Sequence, residues 1–217
     1  MKRTNIITAG IILLSFFTGI YLYPMMPEMV ASHWNSGGEV DGYLPKFWGL
    51  FLMPIISAVL FALFLLIPKI DPLKVNIEKF RNYFDSFILI LFLFLFYLYG
   101  LTILWNLDAR LNMGQVLAPA FAVLLYYSGV LIENSKKNWF IGIRTPWTMS
   151  SEIVWEKTHK LGGKLFKTCG AIALLGIIFV GYEFFFILLP VIAITVYITV
   201  YSYFEHQKEA DSLQKNI

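Results

Sequence analysis

The chain is poor in charge and nearly without cysteine. Asp, Glu, Lys and Arg make up only 14% of its 217 residues, against about 25% in a typical soluble domain. The one cysteine, Cys169, excludes an intramolecular disulfide and any cysteine-built metal site; within an apolar run it reads as a small packed residue. Catalytic signatures are missing as well. There is no HExxH, no GxSxG and no phosphate-binding glycine loop. The chain also lacks an internal repeat, a low-complexity tail and a polar stretch long enough for a separate soluble domain.

What is abundant is apolar surface. Hydrophobic residues are 58% of the chain, and mean hydropathy is +0.68. Residues 86–105, SFILILFLFLFYLYGLTILW, contain no acidic or basic side chain, which is the pattern of a membrane span. The N-terminal apolar stretch from Asn5 to Tyr23 ends in Tyr-Pro-Met-Met-Pro rather than in small residues suited to cleavage, so it reads as a retained span and not as a signal peptide.

Six spans are predicted, at 5–23, 47–67, 86–105, 115–133, 165–182 and 184–204. The last two form one apolar stretch broken only by Glu183. As a single helix it would measure about 60 Å, about twice the hydrocarbon thickness, so a turn is expected near Gly181-Tyr182-Glu183. Pro54, Pro119 and Pro190 fall within or at the ends of spans, where each removes a backbone hydrogen bond.

Lys and Arg set the orientation. With both termini inside, 15 of the 17 basic residues, from Lys2 and Arg3 to Lys208 and Lys215, lie on the cytoplasmic side, and only Lys46 and Arg110 lie outside, as the positive-inside rule asks. The predicted fold class is therefore an all-α integral membrane protein. It has six spans, N-in and C-in, with a cytoplasmic amphipathic helix between spans four and five. Two regions are expected: an N-terminal two-span module over 1–67 with an outer loop at 24–46, and a four-span region over 68–217 with a cytoplasmic segment at 134–164.

The outer loop, PMMPEMVASHWNSGGEVDGYLPK, is dense in turn residues, Asn35-Ser36-Gly37-Gly38 and Asp41-Gly42. A metal site built on His33 with Glu39 and Asp41 matches no metal spacing, and a single histidine makes a poor site; neither metal nor cofactor is predicted. Two readings remain. Trp34 and Tyr43 anchor the loop at the lipid interface, or His33, Trp34, Asn35, Glu39, Asp41 and Tyr43 form an outward lip that meets a ligand.

The cytoplasmic segment carries Trp139, Trp147 and Trp155 at eight-residue intervals. Gly142 and Pro146 argue against long helix before residue 148. Ser150 or Ser151 is a helix cap, with Glu152 in the first turn. Helical periodicity runs from Ser151 to Leu161, Glu156 and Lys160 form an i,i+4 pair, and Gly162-Gly163 is expected to break the helix. An amphipathic helix lying on the inner leaflet and a docking surface for a cytosolic protein are both open. A base built on His159 with Glu152 or Glu156 lacks any partner nucleophile.

Two motifs resemble the SdpI-type immunity proteins, multi-spanning bacterial membrane proteins. One is Pro27, His33-Trp34-Asn35, Gly38-Glu39-Val40-Asp41-Gly42-Tyr43 and Lys46, followed by Pro54, which looks like the family's N-terminal module of unknown function. The other is Asn138-Trp139-Phe140-Ile141-Gly142-Ile143-Arg144-Thr145-Pro146-Trp147-Thr148, then Ser151-Glu152, Trp155, Thr158-His159 and Leu161-Gly162-Gly163. The resemblance implies protection against a secreted antimicrobial peptide toxin. It also implies a sensor role in which a cytosolic repressor protein is held at the membrane, with Asn138, Trp139, Arg144, Thr145, Trp147, Trp155 and His159 as docking residues. The lipid bilayer is a partner, and no direct nucleic-acid binding is expected. A transporter is the alternative, but transport usually leaves ionisable groups inside the bundle, and the mid-span regions here have almost none.

Overall fold

The computed structural model describes residues 3–35 and 37–214. Lys2, Ser36 and Lys215, counted above for charge or turn chemistry, lie outside the described residues. In chain order, α1 (Arg3–Leu22) and a short 3-10 turn lead into a β-hairpin, β1 (Met29–Trp34) and β2 (Val40–Pro45). Then follow α2 (Lys46–Ile70), α3 (Lys74–Lys79), α4 (Arg81–Asn106), α5 (Met113–Asn134), α6 (Pro146–Ser150), α7 (Glu152–Ala173), a 3-10 turn at 174–177, and α8 (Glu183–Gln214).

Among the described residues, five helical stretches are long and apolar enough to cross a membrane: Arg3–Met25, Lys46–Ile70, Arg81–Asn106, Met113–Asn134 and Glu183–Gln214. The predicted fifth span, 165–182, is not a helix of its own. It is divided among the second half of α7, the 3-10 turn and an open turn at 178–182. That turn lies where Glu183 interrupts the apolar run, and Gly181 there takes φ +87°, a conformation that suits glycine.

Leu13, Phe17, Ile20 and Val59 face outward, and Thr8, Ser15, Ser57 and Ser202 are buried alongside an apolar core that includes Phe80, Phe84, Ile88 and Phe92. Lipid is as apolar as leucine, so membrane helices associate through small and weakly polar residues that bring backbones close. Tyr99 on α4 illustrates this: its hydroxyl donates to the Ser15 carbonyl of α1 at 3.2 Å.

The predicted helix break at Gly162-Gly163 does not occur, because α7 runs through both residues. Their small size serves packing instead. A β-carbon on Gly163 would stand 2.5 Å from Glu133 Cβ and 2.7 Å from the Gly129 carbonyl oxygen on α5. One on Gly170 would stand 2.6 Å from the Ala122 carbonyl oxygen. The stretch read as a separate amphipathic surface helix is therefore the first half of α7, which packs against α5 and α8. Glu156 pairs with Lys136 at 3.0 Å rather than with Lys160.

The all-α expectation also changes at the outer loop, where 29–45 forms an antiparallel hairpin. The sequence alternates in exposure along β2, and the turn is closed by Asn35. Its side-chain oxygen accepts from the Gly37 N–H at 2.9 Å and the Glu39 N–H at 3.0 Å, a local mimic of a backbone turn. The hairpin sits on the helix ends. Asn106 at the end of α4 accepts from the Ala31 N–H at 2.8 Å and donates to the Ala31 carbonyl at 3.0 Å. Val30 fills the notch at Gly49, where a β-carbon would stand 2.5 Å from Val30 Cβ.

Candidate functional site

Two regions gather the residues singled out in the sequence, one at each end of the bundle. At the hairpin end, a cleft of about 470 Å³ opens between the hairpin turn and the N-terminal ends of α5 and α8. His33, Trp34 and Asn35 form its hairpin wall, Leu117 and Phe121 its α5 wall, and Phe184 its α8 wall. Its volume falls in the range of ligand pockets, which are mostly apolar with a few placed polar groups.

Asp41 reaches this site through His33, whose Nδ1 lies 2.5 Å from Asp41 Oδ1 across the hairpin. Trp34 packs edge-on against Trp105 of α4 with centroids 5.7 Å apart, and its indole nitrogen is buried without a hydrogen-bond partner among the described residues. Glu39 and Tyr43 do not line the cleft. Glu39 stays in the turn beside Asn35, whose amide lies 3.5 Å away, and Tyr43 lines a separate open depression with Met29, Trp105 and Arg110.

The polar group at the floor of the cleft escaped prediction as a site residue. Glu183, the first residue of α8, is 4% exposed and lines the cleft, and its Oε1 has no hydrogen-bond partner among the described residues. Its carboxyl packs over Gly114, where a β-carbon would stand 3.1 Å from the Glu183 carboxyl carbon. The sequence did carry a signal, a lone carboxylate in a long apolar stretch, but that residue was read only as the place of a turn.

At the opposite end, residues 135–150 fold into a knot against the start of α7. Asn138, fully buried, organises the loop through its side chain. Its amide donates to the Lys136 and Ile141 carbonyls at 2.8 Å each, and its oxygen accepts from the Phe140 and Ile141 N–H groups at 2.9 and 2.6 Å. Thr145 and Thr148 form a reciprocal capping box at the start of α6, and the Thr145 hydroxyl also meets Ser202 of α8 at 3.0 Å. Ser151 caps α7 by accepting from the Val154 N–H at 3.2 Å.

Trp155 and His159 are 1% exposed and stacked, with centroids 3.8 Å apart. The Trp155 indole N–H donates to the Ser135 carbonyl at 3.1 Å. His159 Nδ1 lies 2.8 Å from the Trp155 carbonyl, and the Ile143 N–H donates to its Nε2 at 2.9 Å. A carbonyl can only accept and an amide N–H can only donate, so the imidazole is neutral with its proton on Nδ1. Burial pushes its pKa down from 6.5 to about 4. Gly142, at φ +115°, leaves room for the ring, since a β-carbon there would stand 2.5 Å from His159 Nε2.

These positions revise the docking set. Asn138, Thr145, Trp155 and His159 are buried, so they hold the knot together and present no side-chain surface to a partner. Trp139 and Arg144 are exposed and Trp147 is half-buried. The Arg144 guanidinium donates to the Trp139 carbonyl, and Trp147 packs against Tyr203 of α8 with centroids 5.2 Å apart. The knot is tied to α2 and α3 by two groups the sequence did not flag. Buried Asp71 accepts from the Trp139 N–H at 2.9 Å, and the Asn76 amide donates to the Lys137 carbonyl at 2.9 Å.

Comparison with known proteins finds two families matching separate segments. A domain of unknown function, DUF1648, matches residues 10–58, and the SdpI/YfhL protein family matches residues 134–202. The immunity protein SdpI of Bacillus subtilis (strain 168) is 26% identical over 209 residues, covering 96% of this chain and 98% of that protein. No solved structure matches. The first family match covers most of α1, the hairpin and the start of α2, the second covers the knot, α7 and most of α8, and the similarity to SdpI runs over nearly the whole chain. The chain is thus similar to SdpI over nearly its whole length, and that similarity together with its apolar helices makes it a multi-pass protein of the plasma membrane.

Proposed function

We propose that this protein is a membrane immunity protein that protects the cell from a secreted antimicrobial peptide. The observation that carries this reading is the near full-length relationship to an immunity protein. The role is not enzymatic. The hairpin end faces outward: of the 17 Lys and Arg residues, Lys46 and Arg110 alone fall in the sequence segments at that end, and positive charge gathers on the cytoplasmic side. The toxin meets the cleft at the hairpin turn, with His33, Trp34 and Asn35 as contact residues and Asp41 orienting His33.

A sensing role would use the other end. The exposed surface of Trp139, Arg144 and Trp147 is the part of the knot on which a cytosolic repressor could rest. Because the knot also touches Asp71, Asn76 and Ser202, a shift of α2 or α8 on toxin binding would reach it. Such coupling requires two states with different affinities for toxin.

The test is expression in a toxin-sensitive host. Wild type should permit growth at toxin levels that kill cells carrying empty vector, and His33→Ala or Trp34→Ala should lower the protective level severalfold at equal membrane abundance. Equal killing with and without the protein overturns the reading for that toxin. For the sensor arm, a repressor retained by wild-type membranes should be released by Trp139→Ala or Arg144→Ala; retention by both variants counts against docking on this surface.

A further inference from the structure

Two residues that line the cleft at the hairpin end each carry a buried polar atom, of opposite kind, with no partner among the described residues: the Glu183 Oε1 acceptor and the Trp34 indole donor. Native proteins rarely leave such groups unpaired, and each one calls for an explanation. Removing a carboxylate from water is costly unless it is compensated. Two features supply part of the compensation. Glu183 begins α8, and its carboxyl lies against Gly114 in the first turn of α5, so the positive ends of two helices bear on it. Neither gives Oε1 a hydrogen bond.

The remaining walls are apolar, with Leu117, Phe121, Phe184 and Ile187, and the one basic side chain that lines the cleft, His33, is held by Asp41. Among the described residues, no lysine or arginine lines the cleft to neutralise Glu183. An occupant that completes this site brings a cation to the carboxylate, an acceptor to the indole N–H, and hydrocarbon to the walls. A free amino terminus followed by apolar residues has all three in one short chain: the ammonium, the first carbonyl and the side chains.

We propose that the cleft binds the amino-terminal end of an apolar peptide, with the ammonium on Glu183 and a backbone carbonyl at the Trp34 indole. This assignment deepens the immunity reading and rests on it for the identity of the cleft as the toxin-facing site.

The test uses full-length protein in lipid nanodiscs and two probes, Leu-Leu-Leu-amide and its N-acetylated form, with empty nanodiscs to subtract partition into lipid. The free-amine peptide should bind saturably, and acetylation should weaken binding at least tenfold. Glu183→Gln should weaken binding of the free amine by a similar factor without affecting the acetylated peptide, whereas Glu39→Gln on the exposed turn should change neither. Equal binding of the two peptides overturns the proposal even if Glu183→Gln fails to fold, because that comparison uses wild-type protein alone. Failure here is separable from failure of the wider reading. Loss of amine selectivity while protection still depends on His33 and Trp34 overturns only the amino-terminus assignment. Amine-selective binding with protection indifferent to His33, Trp34 and Glu183 keeps the binding site and overturns its role in immunity.

Discussion

His159 makes the stability of this protein depend on pH in a direction the structure determines. In the folded state the ring is neutral, because Nε2 accepts from the Ile143 N–H and burial disfavours charge, so its pKa lies at about 4 against an ordinary 6.5. The unfolded chain therefore takes up a proton first as pH falls. The contribution is fully present above pH 6.5 and is lost progressively as pH falls toward 4. Linkage over that interval gives about 2 kcal/mol lost between pH 7.5 and pH 5, and about 3 kcal/mol by pH 4. The assay is unfolding of purified protein in mixed micelles by added dodecyl sulfate, followed by tryptophan fluorescence at each pH. His159→Gln supplies the reference, since glutamine keeps an acceptor for Ile143 and does not titrate. The variant should be less stable at pH 7.5, by about 1 kcal/mol for the lost stacking on Trp155, and should show a smaller pH dependence by about 2 kcal/mol. Parallel pH profiles for wild type and variant would refute the reasoning.

Two further substitutions probe the packing that carries the sites. Gly163→Ala should open the α5–α7 seam, because its β-carbon would meet Glu133 Cβ and the Gly129 carbonyl well inside contact distance; a cost of about 1–3 kcal/mol should appear in the same unfolding assay, and an unchanged midpoint would show that the seam gives way freely. Asn106→Ala removes both hydrogen bonds to Ala31, worth about 1–3 kcal/mol together. Hydrogen exchange should then accelerate within 29–45 while α5 and α7 keep their protection, and unaltered exchange in the hairpin would refute the clamp.

Much of the architecture is legible in the sequence because a bilayer imposes simple demands. Five of the six predicted spans recur as apolar helices, the last of them extending on to Gln214, and the turn before Glu183 lies where a lone carboxylate and Gly181 interrupt an overlong run. The Ser151 cap follows from local chemistry alone. The glycine pair at 162–163 was misread because glycine has two opposite uses in helices. Local propensity treats it as a breaker, and only the neighbour at Gly129 shows that it is a notch for backbone contact. The hairpin was missed for a related reason, since six-residue strands among turn residues declare themselves only when paired and seated on Gly49 and Asn106.

The candidate sites divide along the same line. Residue types and spacing marked 33–43 and 138–159 as unusual for a greasy chain, and that much needed no coordinates. Whether a tryptophan or histidine faces a partner or the interior depends on contacts far apart in sequence. Trp155 can be buried because its indole N–H donates to the Ser135 carbonyl, and His159 because Gly142 leaves space for its ring. Glu183, some 150 positions from His33 in the chain, joins the cleft only when α8 begins beside α5 under the hairpin turn. The sequence by itself determined that the chain lies in a membrane and where its polar segments fall, because the cost of burying charge in lipid is local to each segment. The tertiary structure decided which of those polar groups are satisfied inside the fold and which, among the described residues, are buried without a partner, because hydrogen-bond partners are set by helix packing and not by sequence distance.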